Sequence, residues 1–159
     1  MKKLSICFFI SIMLCSCSIF ENRVLAFLPE PTLKQNADWK NRCGKWYSKS
    51  ITKENETREE ICDSYEDGTF ILKTKTMDKE GNITIHIESG EWGISGNIYF
   101  TIIKAITENA VQGEVDVLSP FYRDAYKIKS LSDKKMVYQH INTKDIYVDI
   151  KVDKNFELK

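Results

Sequence analysis

The amino-acid sequence predicts an all-β protein: an up-and-down antiparallel β-barrel of about eight strands, with a two-sheet β-sandwich as the alternative. Three observations lead there. Beyond residue 44, apolar and polar residues alternate with the period of two that marks half-buried strands. The alternating runs are short and recur at roughly 8 to 14 residues, nearly all joined by tight turns. No long helical period interrupts them. Consecutive antiparallel strands with one apolar face each remove their exposed edges by closing on themselves, which favours the barrel. Both architectures demand the same alternation, so the pattern alone does not separate them.

The elements follow in order. Thr32 to Arg42 has the pattern of one short helix ahead of Gly44. Gly44 to Ile51 is a first strand and Arg58 to Tyr65 a second. Asp67-Gly68 is a hairpin signal, because both residues tolerate positive φ. Thr69 to Met77 is a third strand, with Phe70 and Leu72 on one face. Ile83, Ile85 and Ile87 alternate with Thr84, His86 and Glu88, and Gly90 to Ile94 follows as a separate short run. Ile98, Phe100 and Ile102 form the next series, then Val111, Gly113, Val115 and Val117. Ser119-Pro120 breaks the pattern. Tyr122 to Leu131, Lys135 to Ile141 and Ile146 to Val152 complete it. In the last strand Ile146, Val148, Ile150 and Val152 share one face, read as the inner one.

The 159 residues carry 23 basic and 23 acidic side chains. That length suits one domain. A near-neutral chain without a basic run gives no reason to expect nucleic acid as a partner. The N-terminus reads differently from the rest. Lys2 and Lys3 precede the uncharged apolar stretch Leu4 to Leu14, too short to span a bilayer as a helix but suited to a secretory h-region. Leu14-Cys15-Ser16-Cys17 follows, and it resembles the lipobox of bacterial lipoproteins. Cys15 departs from the preferred Ala, Ser or Thr.

The lipobox resemblance implies a signal peptide over residues 1–16, thioether lipidation of Cys17, and acylation of the new amino group. Two chains or more anchor a protein stably where one does not. Ser18, rather than Asp, resembles cargo sorted to the outer membrane. Val24-Leu25-Ala26 offers an ordinary signal-peptidase site as an alternative, with the polar run Glu21-Asn22-Arg23 arguing against it, and an uncleaved anchor is a third option. The expected layout is a lipidated tether over 17–41, holding Pro29 and Pro31, and a barrel domain over 42–159. Cleavage leaves 21 basic against 23 acidic residues. Cys43 and Cys62 then remain as a pair in an oxidising compartment, which predicts a disulfide closing a loop of about 20 residues.

Four elements in order carry a further resemblance: Gly44-Lys45-Trp46, Tyr65-Glu66-Asp67-Gly68-Thr69-Phe70, Gly90-Glu91-Trp92, and Tyr126-Lys127-Ile128. Over roughly residues 42 to 152 the chain resembles bacterial lipocalin-like domains. The resemblance implies an apolar interior closed at the Gly-x-Trp end, with Trp46 pointing inward as a plug.

Catalytic signatures are missing. There is no Gly-x-Ser-x-Gly, Walker-type loop or His-Glu-x-x-His. His86 and His140 read as outward surface residues, and Glu54, Glu56, Glu59 and Glu60 as a solvated hairpin tip. No enzyme activity, cofactor or metal is expected. Two functions fit: a membrane-anchored accessory module that contacts an envelope protein, or a binding barrel for a small apolar ligand. The bulky aliphatics read as inward-facing leave little room, which favours the first. For the second, the expected pocket lies near Gly113, with Trp46, Phe70, Trp92, Phe100, Tyr126 and Tyr138 lining it.

Overall fold

The computed structural model describes residues 33–158; the lipobox, Cys17 and the prolines of the tether lie outside them. Residues 33 onward form one compact unit. Helix α1 (Leu33–Arg42) leads into nine strands: β1 (Gly44–Ile51), β2 (Thr57–Ser64), β3 (Thr69–Met77), β4 (Ile83–Ser95), β5 (Ile98–Glu108), β6 (Val111–Gly113), β7 (Arg123–Leu131), β8 (Lys135–His140) and β9 (Ile146–Lys151). A 3₁₀ turn (Pro120–Tyr122) precedes β7, capped by the Ser119 hydroxyl, which accepts from the Phe121 N–H.

Every pairing is antiparallel, and strands that follow one another in sequence mostly lie side by side. Two pairings decide the architecture. β1 meets β9 through Trp46 opposite Lys151, and β4 meets β5 along its length from Ser95–Ile98 to His86–Glu108. With β5 also paired to β7, eight strands close into a barrel, which settles barrel over sandwich. The ninth strand, β6, pairs only with the far end of β5.

The Ile83–Ile87 and Gly90–Ile94 runs, expected to be separate, are one continuous strand of 13 residues. The register shifts at Ser89/Gly90, where Lys104 of β5 is the extra residue. Gly90 is required there: a Cβ on it would stand 1.9 Å from the Ile102 carbonyl oxygen. A second bulge falls between Ile128 and Ser130 of β7. Each bulge reverses the in/out alternation of its strand, as an unpaired residue must.

Which face points inward is the main correction to the sequence reading. Phe70, Leu72, Tyr126 and Ile128 face the interior or pack on its core, as expected. The aliphatic series on β4, β5 and β9 do not. Ile146, Val148 and Ile150 are 63%, 41% and 53% exposed, and their neighbours Tyr147 and Asp149 line the interior. On β5, Tyr99, Thr101 and Ile103 point in, while Phe100 lies outside against Gly93. On β4 the inward positions hold Glu88 and, by the same parity, His86, not Ile83, Ile85 and Ile87. The assumption that the more apolar face is the buried one fails because this interior holds a polar cavity.

One end of the barrel is closed. Trp39 and Arg42 lie three residues apart and therefore on one face of α1. Trp39 stacks on Trp92 with centroids 4.2 Å apart and donates its Nε1–H to the Glu66 carbonyl. Arg42 enters the barrel and is 1% exposed. Gly44, at φ +113°, turns the chain from helix to strand, so that Trp46 follows Arg42 into the core. The segment after β9 returns along the outside of β1: Val152 donates its N–H to the Lys45 carbonyl, and Phe156 packs edge-on against Tyr47.

Candidate functional site

The barrel encloses a cavity of about 210 Å³. Its floor is built by the residues that close the barrel. The Arg42 guanidinium lies 5.2 and 5.0 Å from the ring centroids of Trp46 and Tyr99. Its Nη2 donates to the Tyr99 hydroxyl at 3.1 Å and to the Cys62 sulfur at 3.5 Å, and its Nη1 stands 3.5 Å from an Asp149 carboxylate oxygen. The Tyr138 hydroxyl donates to both oxygens of the same carboxylate. The Trp46 indole N–H donates to the Arg42 carbonyl at 2.7 Å, filling one of the acceptors that a helix C-terminus leaves open.

The walls are aromatic. Tyr126 meets Tyr138 and Tyr147 edge-on, with centroids 5.2 and 5.8 Å apart, while Tyr138 and Tyr147 stack at 5.4 Å. Tyr99 completes the cluster against Tyr126 and Tyr138. Such pairs add about 0.5–1.5 kcal/mol each beyond the area they bury. Burial raises the pKa of all four phenols, that of Tyr99 to about 12, so they stay neutral donors and acceptors at ordinary pH.

Charged groups ring the upper part. Arg58 binds Glu60 through Nε at 2.8 Å and Nη2 at 2.6 Å, and Glu60 also accepts from Ser48 and Thr74. His140 lies 3.2 Å from Asp124, and His86 lies 3.0 Å from Glu88. Both histidines, expected on the surface, thus pair with carboxylates that line the cavity. Glu60, expected at a solvated hairpin tip, is a wall residue.

The expected pocket residues separate accordingly. Trp46, Phe70, Tyr126 and Tyr138 line the cavity; Trp92, Phe100 and Gly113 do not. Trp92 is buried beside Trp39, Phe100 is outside, and Gly113 sits on the exposed β6 hairpin. Arg42, Glu60, Glu88, Asp124, Tyr147 and Asp149 were missed. Glu88, Tyr147 and Asp149 were read on the face opposite the aliphatic series, Glu60 at a solvated hairpin tip, and Asp124 was given no role. Arg42 gives no strand signal, since it arrives from a helix.

The expected disulfide is absent: Cys43 and Cys62 are free thiols. Register explains why. Cys62 stands opposite Trp46, three residues along the chain from Cys43, roughly 10 Å at the strand rise. A disulfide needs Cα atoms within about 7 Å. Burial raises the pKa of both thiols, and that of Cys62, in the barrel floor, despite the nearby Arg42.

Burial also pushes the Asp149 carboxyl up to about 6, against the opposing pull of Arg42 and the Tyr138 hydroxyl. The unfolded chain releases this proton near a pKa of about 3.9. Between those values the unfolded state binds fewer protons than the folded one, so this group makes stability fall as pH rises from about 4 to about 6. The expected loss is on the order of 3 kcal/mol. Urea denaturation across that range, for wild type and Asp149→Asn, isolates it. The stability of wild type minus that of the variant should decline with rising pH; a flat difference refutes the shift.

Among the described residues no group of three His, Cys, Asp or Glu side chains is placed to hold a metal ion. No protein-family model matches the chain, and no curated protein matches it.

Proposed function

We propose that this chain is a lipid-anchored envelope lipoprotein of lipocalin-like type whose barrel binds a small molecule. The observation that carries the reading is the cavity: its floor and walls are held in place by hydrogen bonds and ring contacts that leave space between them. A barrel evolved only as a scaffold gains more by filling its interior with aliphatic side chains. Here the aliphatic series of β9 and most of those of β4 and β5 lie outside, and polar and aromatic groups make up most of the lining. An apolar ligand, as the sequence suggested, fits such a lining poorly, because buried carboxylates facing it would lose water without gaining partners. The size excludes long acyl chains: an apolar cavity of about 150 Å³ admits benzene, so about 210 Å³ suits one ring with a short substituent.

The ligand reading predicts a stoichiometric small molecule on the full chain purified from its host and analysed by native mass spectrometry. A chain that carries none, and whose Tyr126 and Tyr138 resonances move with no member of a mixed-charge fragment set, would refute it. The anchor is tested separately. Incorporation of labelled palmitate should be abolished in Cys17→Ala; undiminished labelling would overturn lipidation there.

A second reading, contact with an envelope protein, rests on exposed apolar residues in the loop between β6 and β7. Leu118 and Phe121 are 79% and 83% exposed, and Val111, at the start of β6, is 71% exposed. Crosslinking from this loop in intact envelopes should capture a specific protein under that reading.

A further inference from the structure

We infer that the cavity selects a small organic cation, an ammonium carried on a one-ring or similarly compact skeleton. The inference rests on the ligand-binding reading above and specifies the ligand's charge. Four carboxylates line the space, Glu60, Glu88, Asp124 and Asp149, against two guanidiniums, Arg42 and Arg58, so the carboxylates of the lining outnumber its guanidiniums by two.

The distribution matters more than the count. At the floor, Arg42 and Asp149 form a pair that is almost sealed from solvent, with side chains 1% and 6% exposed. The floor therefore presents little free charge to a ligand. The Arg42 hydrogen bonds go to Tyr99 and Cys62 rather than into the space. Higher up, Arg58 is held on Glu60 by two short contacts, which cancels that pair as well. The two carboxylates left over, Asp124 and Glu88, are accompanied only by imidazoles, His140 and His86. An imidazole carries a positive charge only when protonated, so it offsets a carboxylate less completely than the permanently charged guanidinium does.

The tyrosines line the same space. Ring faces carry negative quadrupole charge and attract ammonium groups, by roughly 0.5–2 kcal/mol for each ring according to desolvation. Tyr126 links the two features. It packs on Tyr99, Tyr138 and Tyr147, and it also meets the ring of His140, the partner of Asp124. A cation entering the cavity would meet π faces and a carboxylate in one place. An anion would meet the same faces and the same negative charge; Arg58 is held on Glu60, and the charge of Arg42, whose Nε and Nη1 make no hydrogen bond, is balanced by Asp149.

The test compares three probes of nearly equal shape by calorimetry on the full chain in detergent: phenethylammonium, 2-phenylethanol and 3-phenylpropionate. Phenethylammonium should bind at least tenfold more tightly than the alcohol, and 3-phenylpropionate should not bind. In Asp124→Asn/Glu88→Gln the ammonium should lose at least tenfold in affinity while the alcohol keeps its own, which shows that the barrel remains folded. Equal affinity for all three, or preference for the carboxylate, overturns the cation assignment and leaves the small-molecule reading standing. Binding of none of the three overturns the assignment too; the small-molecule reading then falls only if the mass-spectrometric and fragment experiments are also negative.

Discussion

Arg42→Ala should destabilise the barrel by about 3–5 kcal/mol, the usual cost of removing one partner of a buried ion pair. Three losses combine. Asp149, 4% exposed, keeps a buried charge with only the Tyr138 hydroxyl to bind it. The Tyr99 hydroxyl loses its donor. The Trp46 ring loses the guanidinium packed against it. Helix α1 also loses the side chain through which it enters the barrel. The double variant Arg42→Met/Asp149→Val separates charge from packing. Apolar replacement of a whole buried pair is often neutral or stabilising, so the double variant should recover most of the loss. Chemical denaturation of the three proteins at neutral pH decides it. A double variant no more stable than Arg42→Ala would mean that shape, not the charge left behind, sets the cost.

Trp46→Ala should cost a similar amount, about 3–5 kcal/mol, for a different reason. The ring is 1% exposed at the barrel floor, and its removal leaves a cavity that the rigid sheet around it cannot collapse to fill. Trp46→Phe keeps most of the ring and removes the donor to the Arg42 carbonyl. That acceptor is buried at a helix end, so the expected cost is about 1–3 kcal/mol. The same denaturation experiment reads both. A Phe variant as unstable as the Ala variant would assign the whole effect to the hydrogen bond rather than to volume.

The two variants touch the same floor for a structural reason. Arg42 and Trp46 are four residues apart across the junction of α1 and β1, and Gly44 between them holds φ +113°, a value other residues rarely adopt. The sequence shows the pieces of this junction: a short helix, then Gly, then a strand opening on Trp. It does not show that the last helical residue is drawn inside the barrel. An Arg at a helix C-terminus ordinarily faces water and the dipole. Only the closing strand β9, which brings Asp149 across to it, makes burial tolerable.

Period-two alternation was enough to define the protein as all-β, to place most strand boundaries within a residue or two, and to put the Asp67-Gly68 turn between β2 and β3, because strand geometry is local and each residue's side chain simply alternates. It also placed Trp46, Phe70, Tyr126 and Tyr138 in the interior, since a large aromatic is rarely left in water. Three decisions belonged to the tertiary structure. Closure was one, because β1 and β9 pair residues at opposite ends of the domain, Trp46 with Lys151. The fate of the cysteines was another, because register across β1 and β2 sets their separation. The third was the choice of inner face on β4, β5 and β9. Alternation states that a strand has two faces and leaves open which one is buried. In a barrel that holds a charged, tyrosine-walled cavity, polar side chains can point inward because each finds a partner there: Arg58 for Glu60 along β2, His140 of β8 for Asp124 of β7, and Arg42 of α1 for Asp149 of β9. The last two pairs join different elements, so no property of one strand's sequence reveals them.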